Sequence, residues 1–318
     1  MFNHILVPLD GSSLAECVLP HVIAVAKAFN SQVTLIRVFE LPRSPGFSQA
    51  IDPLEWHLVK TEAEAYLNEV AAHLQGFGLK VQRTLKEGNA AEHIIEFAHH
   101  NESDLIILSS HGQSGLSGWN ISSVVQKIIL RAHTSTLIVR AYKSPPKDPA
   151  SFVYKRLLVP LDGSQRAENA LPPAMILARF CGSQLLLAHL VCKPEMLSLK
   201  PLTPAETDLV KQITERNQQK STRYLEQIRS QLTTPVDLRL HISEGNIGEL
   251  HNLVELEDVD LVVLSAHGQS GITKWPYGSV TLSFIVYGTT SLLIVQDLSR
   301  EELQKTTAEI IAREQKGH

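Results

Sequence analysis

Apolar positions along the chain follow two rhythms. Short runs dense in Val, Ile and Leu, such as His4-Ile5-Leu6-Val7-Pro8-Leu9 and Asp104-Leu105-Ile106-Ile107-Leu108-Ser109, alternate with longer stretches in which apolar residues recur every three to four positions. The first rhythm predicts strands and the second amphipathic helices. Strands are expected near 4–9, 33–39, 79–86, 104–109 and 136–140, with helices near 13–28, 54–75, 90–100 and 121–131. The same order returns with strands near 156–161, 184–191, 236–242, 260–265 and 291–296, and helices near 165–180, 205–231, 247–256 and 279–287. The runs ILVPL, DLIILS and DLVVLS are apolar at consecutive positions, as expected of parallel strands covered by helices on both faces. Strand and helix in alternation predict a doubly wound α/β fold.

The return is a true internal repeat. The stretch from His4 to Ser12 reappears from Arg156 to Ser164, an offset of 152 positions from Asp10 to Asp162. Glu87-Gly88-Asn89 reappears as Glu244-Gly245-Asn246, and His111-Gly112-Gln113-Ser114-Gly115 as His267-Gly268-Gln269-Ser270-Gly271. The chain therefore reads as two tandem domains over 1–142 and 155–297, a Pro-rich and charged linker over 143–154, and a tail over 298–318. Ser299-Arg300-Glu301-Glu302 has the form of a capping box that would open a short helix in that tail. Proline-rich stretches over 41–53 and 193–204 follow the second strand of each repeat and are lid candidates.

Composition narrows the function classes. With 318 residues, 43% hydrophobic and 19% charged, the chain is an ordinary globular protein long enough for two cores. A net charge of −4 and no Lys/Arg cluster argue against a nucleic-acid partner. Three cysteines without paired spacing support neither a disulfide framework nor a thiolate metal site, so a reducing cytoplasm is the expected location. Pro8 and Asp10 interrupt the N-terminal apolar run, and no window approaches the roughly 18 apolar residues of a membrane span, so neither export nor membrane insertion is expected.

Candidate chemistry concentrates at two places in each repeat. The first is the strand end Asp-Gly-Ser, where Ser12, Ser13 or Ser164 suits a helix cap and Asp10 or Asp162 suits a turn. The second is the loop that leaves the fourth strand, which runs Ser265-Ala266-His267-Gly268 and reaches Gly278-Ser279 at the head of a helix. In a doubly wound sheet both face one crevice. Glycine backbone and a helix N-terminus suit a phosphate, while the alternative is a plain loop with a serine cap. Two better-known phosphate loops are absent: there is no GxxxxGK[ST], and Gly112, Gly115 and Gly118 lack the first close pair of GxGxxG. His93 and His100 share a helix without a third ligand, and Trp119 and Trp275 suit packing. No Ser/His/Asp or Cys/His pairing supports nucleophilic catalysis.

The N-terminal strand running into VPLDGS, the later S-x2-HG-x9-GS and a last strand reading SLLIV resemble the universal stress protein family in both repeats. The resemblance implies two five-stranded parallel domains of the adenine-nucleotide alpha-hydrolase-like type, strand order 3-2-1-4-5, paired like the subunits of a dimer. It implies ATP or another adenine nucleotide as ligand, with Mg2+ as its companion, and no metal held by protein alone. Residue by residue it assigns Asp162, Leu190, Ser265, Gly268, Gly278, Ser279 and Val280 in the second repeat. In the first it assigns Asp10, Val38, Ser109, Gly112, Ser122, Ser123 and Val124. Ser122 replaces the helix-head glycine, which predicts weaker binding there. Many relatives carry a cation after HG, whereas Gln113 and Gln269 are neutral; Lys274 is a candidate replacement in the second repeat.

The leading expectation is thus a cytoplasmic stress-response protein that binds adenine nucleotide, better in the second domain, and acts by conformational change or partner binding. The alternatives are a nucleotide-free scaffold with vestigial pockets and a slow ATPase. Expected partners are the other domain of the same chain, a second copy in a homodimer and unidentified proteins, but no nucleic acid and no membrane.

Overall fold

The alternation read from the sequence is realised as one sheet of ten strands. The computed structural model describes residues 1–39, 53–113, 115, 121–142, 149–191, 203–232, 237–269, 277–298 and 302. Domain 1 contains β1 (His4–Pro8), α1 (Ser13–Glu16), α2 (Leu19–Phe29), β2 (Gln32–Phe39), α3 (Pro53–Gly76), β3 (Lys80–Glu87), α4 (Ala90–His100), β4 (Leu105–Ser109), α5 (Ser123–Ala132) and β5 (Ser135–Val139). Domain 2 repeats the series as β6 (Arg156–Leu161), α6 (Gln165–Glu168), α7 (Leu171–Cys181), β7 (Gln184–Val191), α8 (Pro204–Gln231), β8 (Asp237–Glu244), α9 (Gly248–Leu256), β9 (Leu261–Ser265), α10 (Ser279–Tyr287) and β10 (Ser291–Val295).

The sheet order is β3-β2-β1-β4-β5-β10-β9-β6-β7-β8, which is 3-2-1-4-5 in each domain. Strands within a domain are parallel, and β5 and β10 join the halves in the single antiparallel pairing among the strand pairs described. Leu137 faces Leu293, its own counterpart in the repeat, as a two-fold relation between domains requires. Although the inner strands are apolar throughout, their side chains part to two faces. Ile5 and Val7 join a core with α2, α3, α7 and α8, while Leu6 joins one with α4, α5, α9 and α10. Both cores draw residues from both domains.

Each helix expected after the first strand of a repeat is divided. Pro20 and Pro172 lack an N–H and stand in the first turn of α2 and α7, where no intrahelical donor is needed, so the preceding turn ends as the separate α1 or α6. Of the stretch expected to link the domains, residues 149–154 are described, and its last residue is packed: Tyr154 is fully buried, and its hydroxyl lies 2.7 Å from His21 Nδ1 on α2. Residues 41–52 and 193–202 of the lid candidates, Lys274, Trp119, Trp275 and nearly all of the tail lie outside the described residues, while Pro53 opens α3 and Thr203-Pro204 open α8. Among those described, no helix is long and apolar enough to cross a membrane.

Candidate functional site

β6 ends where the order of strands reverses between β6 and β9, and Asp162 stands just beyond its end. Gly163 follows at φ +86°, a left-handed turn that glycine adopts without a Cβ penalty. The turn lets Asp162 Oδ1 accept from Ser164 N at 2.9 Å and Ser164 Oγ at 2.6 Å. Ser164 Oγ in turn accepts from Ala167 N and caps α6. Asp162 Oδ2 reaches across to accept from Gln269 N at 2.7 Å, which ties the end of the first strand to the loop after the fourth. The approach requires Gly268, because a Cβ there would stand 2.1 Å from Asp162 Oδ2. A carboxylate offers roughly four acceptor sites, so these three bonds leave capacity for one further hydroxyl.

The loop returns to the sheet at α10. Gly278 N donates to Ala266 O at 2.8 Å, and Thr281 Oγ1 donates to Ser265 O at 2.8 Å, which staples the helix head against the end of β9. No side chain caps α10. Around this junction lies a cavity of about 1020 Å³ lined by Asp162, Leu190, Ser265, Gly268, Gly278, Ser279 and Val280 together. All the positions assigned in the second repeat therefore border one space. Ser265 Oγ, in a residue 6% exposed, has no hydrogen-bond partner there.

The opposite wall comes from α8, which presents Asn217, Lys220, Ser221 and Tyr224 to the cavity. These positions are spaced i, i+3, i+4 and i+7, one helix face. Lys220 brings a cation to a site whose Gln269 is neutral and whose Gln269 side chain donates to Asp162 O. Tyr224 Oη donates to Glu168 Oε1 at 3.0 Å, and burial with the adjacent Glu168 charge pushes its phenol far above the usual value. His189 packs edge-on to Tyr224, and burial lowers its pKa against the pull of Asp162, leaving a neutral ring on the wall.

Comparison with known proteins agrees with this architecture. The profile of the universal stress protein family matches residues 1–140 and again residues 153–296. The chain belongs to the universal stress protein family. One universal stress protein of Methanocaldococcus jannaschii is 30% identical over 149 residues, spanning 46% of this chain and 86% of the relative. A second from that organism is 26% identical over 159 residues, 45% of this chain and 98% of the relative. The crystal structure of a universal stress protein from Archaeoglobus fulgidus superposes on 94% of this chain and 100% of its own at a TM-score of 0.65 and 19% identity, which shows the shared tandem fold.

The two universal stress protein domains build their crevices differently. Asp10 repeats the geometry of Asp162, accepting from Ser12 N, Ser12 Oγ and Gln113 N, and a Cβ on Gly112 would meet Asp10 Oδ2 at 2.1 Å. Ser109 ends β4, Val38 lies on β2, and Ser123 and Val124 open α5, with Val124 exposed. Ser122 has the same extended backbone as Gly278, φ −71° against −68°, so the substitution does not alter the turn. Its effect is chemical: Ser122 Oγ accepts from Val125 N and occupies a donor of the α5 head. Ser109 Oγ, unlike Ser265 Oγ, accepts from His111 N and Cys17 Sγ.

Two further differences were not apparent from the motifs. Arg37 takes the place of His189, and its guanidinium lies 5.1 Å from the Tyr66 ring and 3.1 to 3.3 Å from where a Cβ on Gly11 would stand. It thus bridges the helix wall and the strand-end turn, which in domain 2 are separate walls of the cavity. Glu62 holds the helical position equivalent to Lys220, since Tyr66 and Tyr224 correspond, so an anion replaces the cation. The α8 face gave no signal in the sequence, because residues 215–223 are polar at every position and no one face stands out. His267 is also paired, which sequence inspection missed: Asp297, thirty residues on, accepts from its backbone N at 3.1 Å, lies 2.8 Å from its Nδ1 and accepts from Arg166 at 2.7 Å. Burial would raise the Asp297 carboxyl, but the hydrogen bonds and charges of His267 and Arg166 outweigh it and hold the carboxyl below its ordinary value. Ser110 plays this part in domain 1, 3.1 Å from His111 Nδ1. His93 and His100 lie beside Glu96 instead, and no metal-binding cluster occurs among the described residues.

Proposed function

We propose that this universal stress protein binds an adenine nucleotide (ATP, ADP or AMP) in domain 2 in preference to domain 1. Occupancy changes conformation or partner binding rather than driving turnover. The observation that carries the reading is the convergence of the seven motif positions on one cavity at an uncapped helix head. Asp162 would take a ribose hydroxyl with its spare acceptor site, and the backbone at Leu190 would meet the base. Gly268, Gly278, Ser279 and Val280 would offer backbone donors, and Ser265 and Ser279 hydroxyls, to phosphate oxygens, with the α10 dipole favouring their charge. Lys220 would add a charge-assisted contact. Mg2+ would accompany the phosphates, as Asp162 is the one carboxylate among the described residues of the cavity wall. Ser122 and Glu62 oppose the same ligand in domain 1, and Arg37 spans the space between the helix wall and the strand-end turn that the ligand would enter. Mass spectrometry of nucleotide released from purified protein, with thermal unfolding at increasing ATP, tests the reading. A ligand that binds only the folded state stabilises it by about 2.7 kcal/mol at a hundredfold excess over Kd. No released nucleotide and an unmoved Tm at millimolar ATP, ADP and AMP would overturn it.

A further inference from the structure

The helix that heads the domain 2 cavity is tied to domain 1 at both ends. Tyr277, immediately before Gly278, is buried, and its hydroxyl donates to Ile129 O of α5 at 2.7 Å. At the far end Arg140, 1% exposed beyond β5, donates to Phe284 O at 2.7 Å and Ile285 O at 3.2 Å in the last turn of α10. Its Nε donates to Thr290 O at 3.3 Å. Gly288 makes the approach possible, as a Cβ there would stand 2.4 Å from Phe284 O and 3.2 Å from the guanidinium. A cation on these carbonyls complements the helix dipole, and α10 has no basic residue of its own in that turn.

The two-fold relation between domains makes Ile121, just before the head of α5, and Gln296, just beyond β10, the counterparts of Tyr277 and Arg140. Ile121 has no hydrogen-bonding side chain, and Gln296 Oε1 accepts from Asp297 N and Leu298 N instead. Among the described residues the ties at the two ends of α10, Tyr277 onto α5 and Arg140 onto the last turn of α10, are therefore not repeated by their counterparts in the other half of the repeat.

We propose that domain 1 is an internal support for the phosphate-binding helix of domain 2, with Tyr277 and Arg140 as positioning residues that hold the α10 head in register with Asp162 and Gly268. Neither residue lines the cavity. The inference rests on the nucleotide reading above and adds the route by which the first domain serves the second. It requires the ties to matter for the phosphate end of a ligand and not for the nucleoside end.

The test is competitive binding of ATP and of adenosine to full-length wild type, Tyr277→Phe and Arg140→Gln, with Tm recorded alongside. Tyr277→Phe removes one oxygen and keeps the ring, and Arg140→Gln installs the residue that domain 2 carries at this position. Loss of a buried hydrogen bond at the helix head should weaken ATP about fivefold or more while adenosine stays within about twofold. Arg140→Lys, which keeps the charge, should recover part of the ATP loss. A merely structural role lowers Tm and leaves the ratio of ATP to adenosine affinity unchanged; that ratio, unchanged in both variants while wild type binds ATP, overturns the inference alone. Failure of wild type to bind ATP overturns the nucleotide reading and this inference with it.

Discussion

At the scale of single residues, the difference between the domains rests on a few side chains. Gly278 and Ser122 share a backbone conformation, so what separates them is the hydroxyl that caps α5 through Val125 N. Gly268 is constrained differently, because it leaves no room between itself and Asp162. Asp297 is the residue whose role the motif hid, since it lies thirty positions beyond its histidine in sequence and meets it only through β10. Its carboxyl is fully buried and held below the ordinary Asp value of about 3.9. A depressed folded pKa contributes stability that is present above the unfolded pKa and is lost as pH falls through the folded one. Urea unfolding from pH 6 downward should therefore show wild type losing stability below about pH 4 more steeply than Asp297→Asn. Parallel curves would show that Asp297 gains nothing from His267 and Arg166.

At the scale of elements, the sequence was legible wherever one local rule decided. Short continuous apolar runs and period-3.6 stripes located each described strand and the longer helices, because the inner strands are buried on both faces and the helices need one apolar stripe. The paired motifs placed Asp162 and the α10 head at the same sheet edge, since strands one and four flank the switch point in this topology. The breaks before α2 and α7 were missed although Pro20 and Pro172 marked them, because the apolar period runs through the proline. The α8 wall was missed for another reason. A helix face gains a role only from what it opposes, and Asn217, Lys220, Ser221 and Tyr224 oppose the Asp162 turn only in three dimensions. Lys220→Glu, which gives domain 2 the domain 1 residue, should weaken ATP by about tenfold and adenosine little, measured by competition with a fluorescent nucleotide. Equal effects on both ligands would remove Lys220 from the phosphate end.

At the scale of the molecule, duplication has produced one sheet and two shared cores rather than two independent units. Leu137 and Leu293 meet at the join, both fully buried, and α2 and α7 pack across it beside the buried Tyr154. With apolar contacts of this extent crossing the boundary, the full chain should unfold in a single calorimetric transition, with equal van't Hoff and calorimetric enthalpies. Two separated transitions would show that the domains hold their folds independently. The join also explains how the crevices diverged: domain 1 keeps its place in the sheet through β5 and both cores, none of which needs an open ligand site. The most direct test of the central claim is calorimetric titration of ATP into wild type and Gly278→Ser. The account predicts one ATP per chain for wild type. For Gly278→Ser it predicts undiminished thermal stability, since a serine cap is worth a few tenths of a kcal/mol over glycine, together with strongly weakened ATP binding. Two equivalent sites per chain, no binding at millimolar ATP, or Gly278→Ser binding as tightly as wild type would contradict it.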